Sequence, residues 1–185
     1  FPNVTNLMLG FQYNFDEINT FLLPPGWWSS VTDLTLFRGF TKLSWQDDHT
    51  WAKIKSMPNL KALHLIGDQS YGGPIHKDIL WRLESVSLVH WYHDALDFIF
   101  YHLGPNIKKI YYNSIRNPFK SLCPHVTANF FPHFKLSLEN NCKYMAQITH
   151  LTLQGFSWNG EFFSCICDYF ESLEYLDIDT HVSCC

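Results

Sequence analysis

Met57-Pro58-Asn59-Leu60-Lys61-Ala62-Leu63-His64-Leu65 decides how this chain folds, because its Pro-Asn-Leu-x-x-Leu-x-Leu phrase returns in weaker copies from one end to the other. Val4, Leu7 and Leu9 follow Pro2-Asn3, and Ile107, Ile110 and Tyr112 follow Pro105-Asn106. The apolar triplet recurs without the Pro-Asn pair as Val31/Leu34/Leu36, Leu83/Val86/Leu88, Ile148/Leu151/Leu153 and Leu173/Leu176/Ile178. Triplets starting at 4, 31, 60, 83 and 107 are 27, 29, 23 and 24 residues apart, and those at 148 and 173 are 25 apart. The interval from 107 to 148 is longer, at 41 residues. Phe131/Phe134/Leu136 would divide it but leave a second interval of 17, and Phe134/Leu136/Leu138 is the other register.

Each triplet reads as a short strand whose second and third apolar residues point into the body, since side chains alternate along a strand. One such unit cannot bury its apolar face, so neighbours must stack into a continuous core. An L-x-x-L-x-L element returning at this interval is the signature of leucine-rich repeats. Between the strands, Phe15, Ile18, Phe21 and Leu22 recur at helical spacing before Pro24-Pro25-Gly26. Trp51, Ile54 and Met57 mark a second helix, and Ile75, Ile79 and Leu80 a short one over 75–82, after the turn Tyr71-Gly72-Gly73-Pro74. Leu96, Ile99, Phe100 and Leu103 form the clearest stripe, with Asp94 as the expected cap and Gly104-Pro105 as the stop. Phe162, Ile166, Tyr169 and Phe170 mark the last helix, while 113–129, rich in Pro, Ser and Asn, reads mostly as loop. Strand, loop and helix in fixed order predict a single α/β solenoid over 1–185, of about seven to eight irregular repeats. Its curved parallel sheet would form the concave face and its helices the convex one.

The Pro-Asn-Leu-x-x-Leu-x-Leu phrase, the long helical repeats and the missing asparagine ladder resemble the leucine-rich repeats of F-box-type proteins and ribonuclease-inhibitor-like folds. The resemblance covers essentially the whole chain and is specific for the repeat class. It implies the substrate-recruiting portion of an F-box-type ubiquitin ligase receptor. These residues contain no F-box helix bundle, so binding the adaptor of a cullin-type ligase would require one preceding residue 1.

Composition narrows the alternatives. Hydrophobic residues make up 46% of the chain, enough for one well-packed body, and 16 Phe, 9 Tyr and 7 Trp supply rings to fill it. A net charge of -4, without any Lys/Arg-rich run, leaves no electrostatic footprint for nucleic acid or an anionic membrane surface. No apolar run approaches the roughly 18 residues that span a bilayer, and no signal peptide is visible. Cys123, Cys142, Cys165, Cys167, Cys184 and Cys185 lack both zinc-site spacing and the density of a disulfide scaffold. Reduced thiols in the cytoplasm or nucleus are the expectation, and the lone sequon Asn3-Val4-Thr5 lies inside a predicted strand.

The concave face carries the function on this reading. The residues expected there include Lys109/Tyr111, His133/Lys135 between the flanking strands, His150/Thr152 and Tyr175/Asp177. A protein partner is expected to engage Lys109, Tyr111, Lys135, His150, Tyr175 and Asp177; the ordinary alternative is a solvated sheet face. Neither a metal nor a cofactor is expected, because the ten His, the close pair His90/His93 among them, match no ligand spacing. Cys165 and Cys167, at i and i+2 of a helix, should point apart. Ser157, His150 and Asp177 lack any G-x-S-x-G elbow, so no enzyme is expected. Two other readings remain: an enzyme or small-ligand domain using the His and Asp of the concave face, and a secreted recognition repeat.

Overall fold

The computed structural model describes residues 4–11, 28–38, 48–67, 76–91, 93–114, 139, 143–156 and 160–180. Seven strands make one all-parallel sheet in chain order: β1 (Asn6–Phe11), β2 (Asp33–Arg38), β3 (Ala62–Ile66), β4 (Ser85–Trp91), β5 (Lys109–Ser114), β6 (His150–Phe156) and β7 (Tyr175–Thr180). The helices are α1 (Asp48–Lys55), α2 (Lys77–Leu80), α3 (His93–Tyr101) and α4 (Gly160–Tyr169). The molecule is therefore α/β. Leu34, Leu63, Val86, Ile110, Leu151 and Leu176 face one another in register across β2 to β7. Leu36, Leu65, Leu88, Tyr112, Leu153 and Ile178 form the next row on the same face. All of these but Leu176 and Ile178 are buried, and they form one core with Trp51 and Ile54 of α1, Ile79 and Leu80 of α2, Leu96, Ile99 and Phe100 of α3, and Phe162 and Ile166 of α4. The helices thus cover one face of the sheet.

Each strand begins two residues later than its triplet does. Leu60, Leu83, Ile107 and Ile148 are buried but lie ahead of the sheet, because the chain there is held by a different bond. At every junction one carbonyl accepts two successive N–H groups from the next strand's start. Thr32 O takes Lys61 N at 2.8 Å and Ala62 N at 3.0 Å, and Thr5, Lys61, Glu84, Lys108 and Thr149 each do the same. Among the described residues, at five of the seven triplets the residue just before adds a side-chain tie to the preceding repeat. Asn59 Nδ2 donates to Ser29 O at 2.6 Å, Asn106 Nδ2 to Trp81 O at 2.9 Å and Gln147 Nε2 to Gly104 O at 3.0 Å. Ser30 Oγ to Val4 O (2.9 Å) and Arg82 Nη1 to Met57 O (3.2 Å) complete the series. The Pro-Asn of the repeated phrase is thus a fastener between successive turns. Three of these ties, from Asn59, Asn106 and Gln147, are made by side-chain amides in front of the strands.

Several expectations need correction. The helix at 15–22, the turn at 71–74 and the triplets at 131–138 lie outside the described residues. No strand stands between β5 and β6, however, because they pair directly, Lys109 with His150 and Ile110 with Leu151. The short helix predicted over 75–82 is confined to Lys77–Leu80, and α3 starts at His93, which puts Asp94 inside its first turn. It ends at Tyr101, ahead of Gly104. Leu176, expected in the core, is 41% exposed, since β7 is flanked by a strand on one side alone among the described residues. The chain passes Gly104 so close to the end of α2 that a Cβ there would lie 2.5 Å from Trp81 Cα.

Candidate functional site: the open face of the sheet

The side chains between the buried rows project from the other face. Parallel register lines them up across the strands: Asn6, Asp33, Ala62, Ser85, Lys109, His150 and Tyr175 in one row, Met8, Thr35, His64, Ser87, Tyr111, Thr152 and Asp177 in the next. Tyr175 (50%), Phe37 (45%) and Tyr111 (37%) are exposed, and so is Lys109, whereas the small Ser87 and Thr152 are sunk between taller neighbours. Of the six residues expected to bind a partner, five share this face. Lys135 lies outside the described residues, and the place expected for its strand beside Lys109 and Tyr111 is held by β6 with His150 and Thr152.

Gln154 joins the C-terminal part of the face. Its Oε1 accepts Tyr111 Oη at 3.3 Å and Asn113 Nδ2 at 2.9 Å, while its Nε2 donates to Asp177 Oδ2 at 3.2 Å. The amide therefore holds side chains of β5, β6 and β7 in fixed orientations. Beside it the His150 ring stacks on Tyr175, with centroids 5.8 Å apart and planes 27° apart, and His150 Nδ1 lies 2.9 Å from Thr149 Oγ1. Gln154 follows Thr152 by the two-residue step of β6, which puts it on this face opposite Asn113. Tyr111 and Gln154 are 43 positions apart, and the spacing suggested another strand between them.

Polar side chains on and beside the face also contact one another across strands. His64 Nε2 is 3.4 Å from Asp33 Oδ1 on the N-terminal side. At the strand junctions Lys61 Nζ meets Glu84 Oε1 at 2.9 Å. The hydrogen bond from Lys61 holds the Glu84 carboxyl below the ordinary carboxylate value, partly offset by desolvation and helped by the charges of Lys61 and Lys108. On the helical side His102 is held below the ordinary histidine value, first by burial and then by the Lys77 ammonium.

Comparison with family models, curated proteins and solved structures found no match. The site therefore has to be read from its own chemistry. His64 and His150 share the face but stand three strands apart, about 14 Å at the usual strand spacing, too far to hold one ion together. Among the described residues no group of three or more His, Cys, Asp or Glu is placed to hold a metal ion. Of Ser157, His150 and Asp177, His150 lies against Thr149 and Tyr175, and Asp177 accepts from Gln154. Ser157 lies outside the described residues. Cys165 is buried and Cys167 exposed, on opposite sides of α4. No helix among the described residues is long and apolar enough to cross a membrane.

Proposed function

We propose that this chain is a leucine-rich-repeat solenoid that works as a protein-interaction scaffold, gripping a protein partner on the open face of its sheet. The observation that carries the reading is the pair of in-register rows over seven strands, most of whose side chains are exposed or half-buried. Its rigid aromatic members, Tyr111 and Tyr175, belong to the type enriched among interface hot spots. Stacked strand-and-turn units of this kind offer one extended surface to a ligand that spans several of them. The resemblance to F-box-type repeats supports a narrower role, recruiting a substrate to a ubiquitin ligase.

The double variant Lys109→Ala/Tyr111→Ala tests the reading. Lys109 is exposed and Tyr111 gives up one rim hydrogen bond to Gln154, so the variant should still melt cooperatively, within about 2–4 °C of the wild type. Affinity for a purified partner, first recovered by capture on the wild-type chain, should fall. A partner that binds the double variant with undiminished affinity would show that this face is not the site.

A further inference from the structure

The strongest asymmetry on the open face is electrostatic. Both described carboxylates of its first two rows are engaged, Asp33 by His64 and Asp177 by the Gln154 amide. Lys109 is exposed and has no ion-pair partner among the described residues. Lys108, at the start of the same strand, is also exposed, and its charge reaches Glu84, which already pairs with Lys61. Among the described residues, the β5 part of this face therefore carries positive charge that no carboxylate pairs with. Two strands on, about 10 Å away at the usual spacing, the His150–Tyr175 stack offers a flat aromatic surface, with Asp177 two residues further along β7.

We propose that the β5–β7 part of the face takes an acidic linear protein segment, its carboxylates over Lys109 and an apolar or aromatic side chain against Tyr175. The proposal rests on reading this face as the partner site and adds the chemistry of the partner. A carboxylate over Lys109 gains a charge-assisted hydrogen bond that no side chain among the described residues supplies. The same carboxylate moved to β7 would face Asp177, so the charges also fix the direction in which the segment lies. Gln154 holds Tyr111 and Asp177 in place beforehand, which lowers the ordering cost of binding.

The test selects from a display library of random linear peptides against the whole chain. Affinities of the enriched peptides are then measured for the wild type and for Lys109→Glu, Lys109→Arg and Tyr175→Ala. Expected are peptides rich in Asp and Glu, binding that weakens as salt rises, and a loss of about tenfold with Lys109→Glu that Lys109→Arg does not show. The Lys109 variants should leave the melting curve unchanged, since that side chain is exposed, and Tyr175→Ala should lower it only slightly, through the lost stack on His150. Peptides without acidic excess that still lose affinity with Tyr175→Ala would overturn the acidic assignment while leaving the face as a site. Peptides indifferent to all three variants, or no enrichment at all, would overturn both.

Discussion

Replacing Gly104 by alanine isolates one close approach of the chain. The added Cβ would lie 2.5 Å from Trp81 Cα and 2.9 Å from Leu80 O, the first of these about 0.9 Å inside the 3.4 Å where ordinary contact begins. Both obstacles are backbone at the end of α2, so no rotamer change relieves them. Separating the two segments strains both, because Gly104 O accepts the Gln147 amide and Trp81 O the Asn106 amide. Overpacking of this kind costs about 1–3 kcal/mol. For a chain of this size that lowers the melting temperature by about 2–12 °C, at about 2–4 °C per kcal/mol. Gly10→Ala and Gly160→Ala are the controls, since nothing lies within 4 Å of either new Cβ. Each should leave stability unchanged or raise it by up to about 1 kcal/mol, because alanine has less chain entropy to lose. Thermal and urea unfolding followed by circular dichroism reads all three. Were Gly104→Ala to melt together with the controls, the approach at α2 would have no energetic weight and the reasoning would fail.

Leu63 is completely buried in the middle of the sheet, so Leu63→Asp should lose about 3–5 kcal/mol, the cost of an uncompensated charge inside a protein; a soluble variant melting cooperatively near the wild-type temperature would refute the register. Lys77→Ala should raise the His102 pKa part of the way to its ordinary value of 6.5, leaving the larger effect of burial. A folded pKa below the unfolded one means that this histidine's contribution is present above that ordinary value and is lost as pH falls through the folded pKa. Imidazole shifts in an NMR titration follow it, and an unmoved midpoint would remove Lys77 as a cause.

The buried rows were legible in the sequence because alternation in a strand maps directly onto the two faces of a sheet. Leu34, Leu63, Val86, Ile110 and Leu151 came out buried and in register. The strand starts were less legible. Leu60 and Ile107 look like strand residues by hydrophobicity alone, and only the doubled hydrogen bonds at Thr32 O and Glu84 O show that the ladder starts later. Asn59 and Asn106 marked the repeated phrase, but their acceptors, Ser29 O and Trp81 O, lie in the preceding turn, and apolar spacing does not reveal them. Leu176 misled because its triplet is as good as any other, while burial depends on having neighbours on both sides. Of the candidate site, the row assignment of Lys109, Tyr111, His150, Tyr175 and Asp177 was readable. The Gln154 bonds were not, since they depend on which strand follows β5.

The direct pairing of β5 with β6 also bears on how such a chain can change over evolutionary time. The 41 residues from Ile107 to Ile148 bring Lys109 opposite His150, just as the 24 from Leu83 to Ile107 bring Ser85 opposite Lys109. Alignment is set where the strands start, by the paired N–H groups on a single carbonyl, and the length of the intervening chain does not enter it. Doubling a connection costs only about 0.6 kcal/mol in closure entropy. Insertions and deletions between strands are therefore nearly free for the sheet, whereas a single residue gained or lost within a strand would turn its buried side chains outward. A lineage of such chains can lengthen its connections and still keep the same face.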